Sequence, residues 1–254
     1  LFSDNRIKKA NRVLGGVSLI YIYSMLVHPW VSGGFDWDYV HSVWHTWQSL
    51  NVGVLAFSSS VVAFNIVKYR EERRLEREFI AERALLPQAL NDLSNYLERS
   101  VPVIAEGYFR CNQSINERKR PLESELPSPN DSYILIFQNC IRVADSKVAD
   151  HLAGMLSDLQ VHNARLVSMY QSFSENSPTV QSKMNFISYL FCLAKLQAEI
   201  NQLFDFARGE AQFDNSTLTI KQFSSAYRCV NVFPEQFEGL SEFTERWVKN
   251  QTNT

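Results

Sequence analysis

The sequence predicts an all-α protein with two parts, an N-terminal transmembrane helical hairpin over residues 1–67 and a helical bundle over residues 68–254. Three observations predict it. Residues 13–67 contain no Lys or Arg, whereas 25 such residues in 254 would place between five and six in a window of 55. Positive charge fences that gap on both sides, with Arg6, Lys8, Lys9 and Arg12 before it and Lys68, Arg70, Arg73, Arg74 and Arg77 after it. Beyond residue 67 apolar residues recur at helical spacing, and no convincing period-2 run of the strand type follows.

The first apolar run occupies residues 13–31. At 1.5 Å per residue it reaches about 28 Å, close to the thickness of a hydrocarbon core. A charged start before an apolar run is also the layout of a secretory signal. His28-Pro29-Trp30 makes a poor cleavage site, because signal peptidase needs small residues, so the run is read as an uncleaved span. The second run, residues 50–67, is about 27 Å long and less apolar, interrupted by Asn51, Ser58, Ser59, Ser60 and Asn65. Ala56 with Ser60, and Ser59 with Ala63, form small-xxx-small pairs that let helix backbones approach closely, and Gly15 and Gly16 offer a matching surface on the first run. Such packing is expected both within one hairpin and between protomers. Neither run holds an ionisable residue at its centre, which argues against a proton relay, a voltage sensor or a monomeric transporter.

At the end of the first run and in the connection to the second lie Trp30, Trp37, Trp44 and Trp47, four of the five tryptophans, with Phe35 and Tyr39. Rings of this kind sit well at headgroup depth. Asp38, His41 and His45 would share one face if this segment were a short helix, and imidazole with carboxylate suits zinc or copper. With three groups and no fourth ligand, the polar face of an interfacial helix is the preferred reading. No cofactor is expected.

The second span runs without Gly or Pro into a charged helix. There Lys68 with Glu72, Glu71 with Arg74, Arg73 with Glu76 and Arg74 with Glu78 are surface neighbours. Pro87 should kink or restart this helix. Leu86, Leu90, Leu93 and Leu97 then form a helical stripe. The run Arg83-Ala-Leu-Leu-Pro-Gln-Ala-Leu-Asn-Asp-Leu-Ser-Asn-Tyr96 resembles a segment of uncharacterised bacterial inner-membrane proteins that carry an N-terminal hairpin and the pattern R-A-x-L-P-x-A-L-x-x-L-x-x-Y. The resemblance covers the hairpin and some 15 residues beyond it, implies a bacterial inner-membrane location and supplies no catalytic residue. The layout is also similar to that of two-span effectors in bacterial phage defence, an analogy of architecture alone.

Residues 112–131 carry Asn-Glu-Arg-Lys-Arg-Pro and Pro127-Ser-Pro129, the composition of a mobile loop. Helical patterns then cover residues 132–144, 146–173, 179–208, 219–230 and 234–249. Ser177-Pro178 precedes the third of these, and Gly209 should end it. That helix is apolar on more than one face, which suits a central position in a bundle. In the last pattern Phe233, Phe237, Leu240, Phe243 and Trp247 lie near one face. Cys111, Cys140, Cys192 and Cys229 are too far apart for a zinc knuckle or redox pair and read as buried free thiols, suited to a reducing cytoplasm.

The sequence has no P-loop, dinucleotide fingerprint, H-E-x-x-H or G-x-S-x-G, and no Glu-x-x-His repeats of a di-iron bundle. His151, Asp158, His162 and Arg165, spaced seven, four and three along one helix, form the best cluster for hydrolysis or metal binding. A solvated helix face accounts for it and is the preferred reading, because perturbed sites need burial and partners. A net charge of -2 gives no broad footprint for nucleic acid, so no direct nucleic-acid binding is expected.

These features point to a non-enzymatic, membrane-anchored interaction or effector protein with both termini cytoplasmic. Its expected partners are the lipid bilayer, further copies of itself through the spans, and a cytoplasmic protein bound by the bundle. An oligomeric pore-forming effector and an enzyme of unrecognised class stand as alternatives.

Overall fold

A computed structural model describes residues 4–174 and 180–252. It is all-helical, with no strand among the described residues, as the sequence predicts. The chain divides into two compact units between Glu71 and Glu72.

In the first unit, α1 (Asp4–Ile22) passes through a π turn (Tyr23–Val27) into α2 (His28–Ser32). The widened turn has a local cause. Pro29 has no N–H to give the Met25 carbonyl four residues earlier. The indole Nε1–H of Trp44 donates to that carbonyl instead, at 2.8 Å. The chain turns at Gly34 and Phe35, both at positive φ, and continues as α3 (Trp37–Thr46), capped by the Asp36 carboxylate accepting from the Asp38 N–H. The Trp-rich connection is thus itself helical.

Helix α4 (Gln48–Arg83) begins in this unit and runs antiparallel to α1. Two side-chain bonds fix the pairing: Asn11 donates to Asn65 at 2.9 Å, and the Tyr21 hydroxyl donates to Asn51. Two helical stretches here, Asn11–Ser32 and the one starting at Gln48, are long and apolar enough to cross a membrane. Few residues of the first stretch and none of the apolar part of the second are buried, and no residue of α4 is. On its charged portion, Arg73–Glu76 (2.9 Å) and Arg74–Glu78 (3.7 Å) form as the spacing predicts.

In the second unit, α5 (Leu86–Arg110) restarts after a short turn, with Pro87 in its first turn, where a missing N–H costs nothing. Leu86, Leu90, Leu93 and Leu97 are all buried. Then follow α6 (Ile115–Arg118), α7 (Ser132–Val143) and α8 (Ser146–Ser172). Next come α9 (Lys183–Arg208), α10 (Ile220–Cys229), a 3₁₀ turn (Pro234–Gln236) and α11 (Leu240–Thr252). Helix α9 lies at the centre, packed on α5, α8, α10 and α11. This agrees with its broad apolar surface. Gly107 permits the α5–α9 contact, since a Cβ there would fall 2.4 Å from the Phe186 ring. Gly209 ends α9 in the left-handed region, φ 78°.

Several expected boundaries move. Helix α9 starts at Lys183 and not at residue 179, and Ser177-Pro178 lies outside the described residues. The final pattern splits, because Pro234 begins a single 3₁₀ turn and Gly239, φ 92°, interrupts before α11. Phe233 is exposed while Phe237 and Leu240 are buried. The 112–131 segment is less free than its composition suggests. Arg110 donates to the carbonyls of Arg120 (2.7 Å) and Pro121 (3.0 Å), and the Glu106 carboxylate accepts from the backbone N–H groups of Glu123 and Ser124. Leu122 is buried beside these bonds. Those hydrogen bonds hold the Glu106 carboxyl below its usual range, despite burial, which acts the other way. Of the cysteines, only Cys140 is fully buried. Cys111 and Cys192 are half-buried and Cys229 is exposed, so the expectation of buried thiols fails for Cys229, which faces solvent from the last turn of α10.

Candidate functional site

The histidine-bearing stripe of α8 does not stay together as one face. Asp158, His162 and Arg165 line a cavity of about 230 Å³ with residues of α9 and α11. His151 lies apart, half-buried, with its ring edge-on to Phe213 at 5.2 Å. The solvated-face reading therefore fails for His162, which is 5% exposed. The apolar breadth of α9 explains this, since it packs over the side of α8 that carries the stripe.

Three helices build the cavity. From α8 come Asp158, Val161, His162 and Arg165, four positions on one helical face. Helix α9 adds Tyr189, Phe191, Cys192, Lys195 and Leu196, and α11 adds Trp247. The aromatic wall is itself packed, with the Phe191 ring 5.4 Å from Trp247.

The charges are arranged as a chain. Lys195 Nζ lies 2.6 Å from Asp158 Oδ2 and 3.0 Å from Glu199 Oε1. Burial alone would lower the Lys195 pKa, but Glu199 and Asp158 outweigh it and hold the ammonium above its ordinary value. Burial raises the Glu199 carboxyl against the pull of Lys195, and Glu199 Oε2 has no hydrogen-bond partner among the described residues. Arg165 is exposed at the rim, its Nη1 3.9 Å from the Cys192 sulfur, and no carboxylate lies within ion-pair distance of it among the described residues.

His162 is held neutral. Burial, helped by the Arg165 cation, pushes its pKa down to about 4. Its ring stands edge-on to Tyr96 at 5.9 Å, and its Nε2 has no partner among the described residues. Burial also raises the Cys192 thiol, so at neutral pH the cavity presents a thiol and not a thiolate. No hydrogen bond joins His162 to Cys192 or Asp158 among the described residues, so no base–nucleophile pair is formed there. The arrangement can bind, with a cation that no carboxylate matches among the described residues, a neutral imidazole and an aromatic wall.

Sequence spacing pointed to Asp158, His162 and Arg165 but missed Lys195, Cys192, Tyr189 and Trp247. One signal was present: Lys195 and Glu199 are the only charged residues between Met184 and Phe204 in a broadly apolar helix.

In the hairpin, the small residues lie at the surface, and the expected packing of Gly15 and Gly16 within the hairpin is not made. Gly15, Gly16, Ala56, Ser59, Ser60 and Ala63 are all exposed, and a Cβ on either glycine would meet nothing within 4 Å. The serine hydroxyls donate within their own helix, Ser59 to the Leu55 carbonyl at 2.8 Å and Ser60 to that of Ala56 at 3.0 Å. The candidate metal set is not assembled. His41 and His45 continue an aromatic ladder from Trp37, with ring spacings of 6.5 and 6.4 Å, and Asp38 is not brought into a ligand group with them. Among the described residues no cluster of three or more His, Cys, Asp or Glu could hold a metal ion. No family model matches the chain, nor does any curated protein or solved structure.

Proposed function

We propose that the chain is a membrane-anchored interaction protein of the effector type. Its hairpin lies in a bacterial inner membrane with both chain ends on the cytoplasmic side, and its bundle receives a protein partner. One observation carries this reading. The hairpin turns its polar side chains toward each other, Asn11 to Asn65 and Tyr21 to Asn51, and leaves Val17, Leu19, Leu55, Val62 and Phe64 exposed. In water that arrangement would forfeit the hydrophobic driving force, whereas in hydrocarbon it pairs these four polar side chains and places apolar surface against lipid. The basic residues on both flanks of the spans support the orientation.

Self-association is the expected use of the uncovered small residues. Ser59 and Ser60 with Ala56 and Ala63, and Gly15 with Gly16, give backbone-close surfaces that nothing in the hairpin occupies. Sedimentation of the full chain in mild detergent tests this. The wild type should form oligomers, and Ser59→Leu or Ser60→Leu should shift it toward monomer while leaving its helicity unchanged. Oligomers that persist in both variants would remove the small-residue face from the proposal. Cells overproducing the chain should exclude a small impermeant dye if it is an anchor. Dye entry that is lost in the same two variants would convert the reading to an oligomeric pore.

A further inference from the structure

The cavity between α8, α9 and α11 has the features of a ligand site, and they do not depend on where the hairpin resides. A packing defect in a helical core is lined by apolar groups and stays dry. This one also carries charged and polar side chains. It joins the aromatic wall of Tyr189, Phe191 and Trp247 to His162, Lys195 and Arg165. His162 is 5% exposed and its Nε2 is unpartnered among the described residues. Buried polar atoms are rarely left so, and each such atom calls for an explanation.

The placement of the charges specifies the ligand's sign. Lys195 is neutralised by Asp158, at 2.6 Å, and by Glu199, at 3.0 Å. Arg165 at the mouth is not matched by a carboxylate among the described residues, so its guanidinium is the charge left to meet a ligand. The aromatic wall specifies a flat, apolar body, and a guanidinium at the rim suits a carboxylate. At about 230 Å³ the volume lies below the range of about 300–1,000 Å³ usual for drug-sized ligands. That excludes dinucleotides and favours a single ring. We infer that this cavity binds a small aromatic carboxylate, its ring against Trp247 and Tyr189 and its anionic end at Arg165.

The full chain in a non-ionic detergent, probed with 4-fluorobenzoate and its neutral counterpart 4-fluorobenzamide, tests the inference by fluorine relaxation of each probe. The acid should bind saturably and more tightly than the amide. Arg165→Gln should weaken the acid about tenfold and leave the amide unchanged, as expected for loss of one charge-assisted contact. Val161→Trp, placed at the cavity wall, should block both. Both positions are exposed, so unchanged helicity verifies that each variant is folded. A cavity that holds water alone would bind neither probe, and that result overturns the inference. Equal binding of acid and amide, or acid binding untouched by Arg165→Gln, overturns it as well.

Discussion

The hairpin and the bundle are both helical, yet they distribute polarity in opposite senses. In the bundle Phe137, Phe186, Leu93 and Leu152 are buried, and its ion pairs, such as Arg208–Asp205, lie mostly at the surface. In the hairpin the apolar side chains are outside, and its two longest-range side-chain bonds join asparagines to each other and to a tyrosine across the helix pair. On the proposed reading, the difference teaches that the surrounding medium selects which face turns inward. Water drives apolar groups together, and hydrocarbon leaves polar groups no partner but each other.

The largest effect that sharpens this contrast comes from deleting the same side chain in each region. Phe186 is fully buried and Phe57 is 58% exposed. Phe186→Ala should destabilise the bundle by about 3–5 kcal/mol, the range for emptying a large core position. Phe57→Ala should cost under about 1 kcal/mol, because little protein packs on it. Urea titration of the detergent-solubilised chain measures both, and equal losses would break the contrast.

Next in size is a pH effect confined to the bundle. The His162 pKa is depressed to about 4 in the folded chain, against an ordinary value of 6.5. The unfolded chain therefore takes up a proton first as pH falls. The stability associated with neutral His162 is complete above pH 6.5 and is lost as the pH falls toward 4, by roughly 3 kcal/mol in all. His162→Phe should flatten the stability profile across that window. A profile as steep in the variant as in the wild type would show that other groups govern it.

A smaller effect is expected in the hairpin. Asn65→Leu removes the acceptor for Asn11, yet adds apolar surface suited to lipid. Interhelical bonds of this kind average about 0.6 kcal/mol in bilayers, so the change should be slight in a membrane. Unfolding of the hairpin in lipid bicelles, followed by Trp fluorescence, is the measurement. A loss of several kcal/mol would mean that the asparagines hold the pair together by more than mutual satisfaction.

Much of the fold was legible in the sequence because its signals are local. The Leu86–Leu97 stripe, the Pro87 restart, the Gly209 stop and the breadth of α9 each rest on residues close in the chain. Boundaries beside Pro were harder. Pro234 starts a helical turn as readily as a helix, and Gly239 decides between them only through its positive φ. The π turn escaped notice because its cause, Pro29, is met by a tryptophan 15 residues later. The cavity was legible only in its α8 third. Spacing places Asp158, His162 and Arg165 on one face, but whether that face meets water or α9 is a tertiary fact. His151 shows the limit: it shares the spacing and yet packs on Phe213.

Topology tests the inside-out hairpin most directly. In a variant without native cysteines, Ser32→Cys at the end of α2 and Gln113→Cys after α5 each place a thiol at an exposed position. A membrane-impermeant maleimide applied to intact bacterial cells with a permeabilised outer membrane should label Cys at 32. It should reach Cys at 113 only after the inner membrane is opened. Labelling of position 113 in intact cells with position 32 protected, or identical labelling of both, would contradict a hairpin that crosses the bilayer and returns.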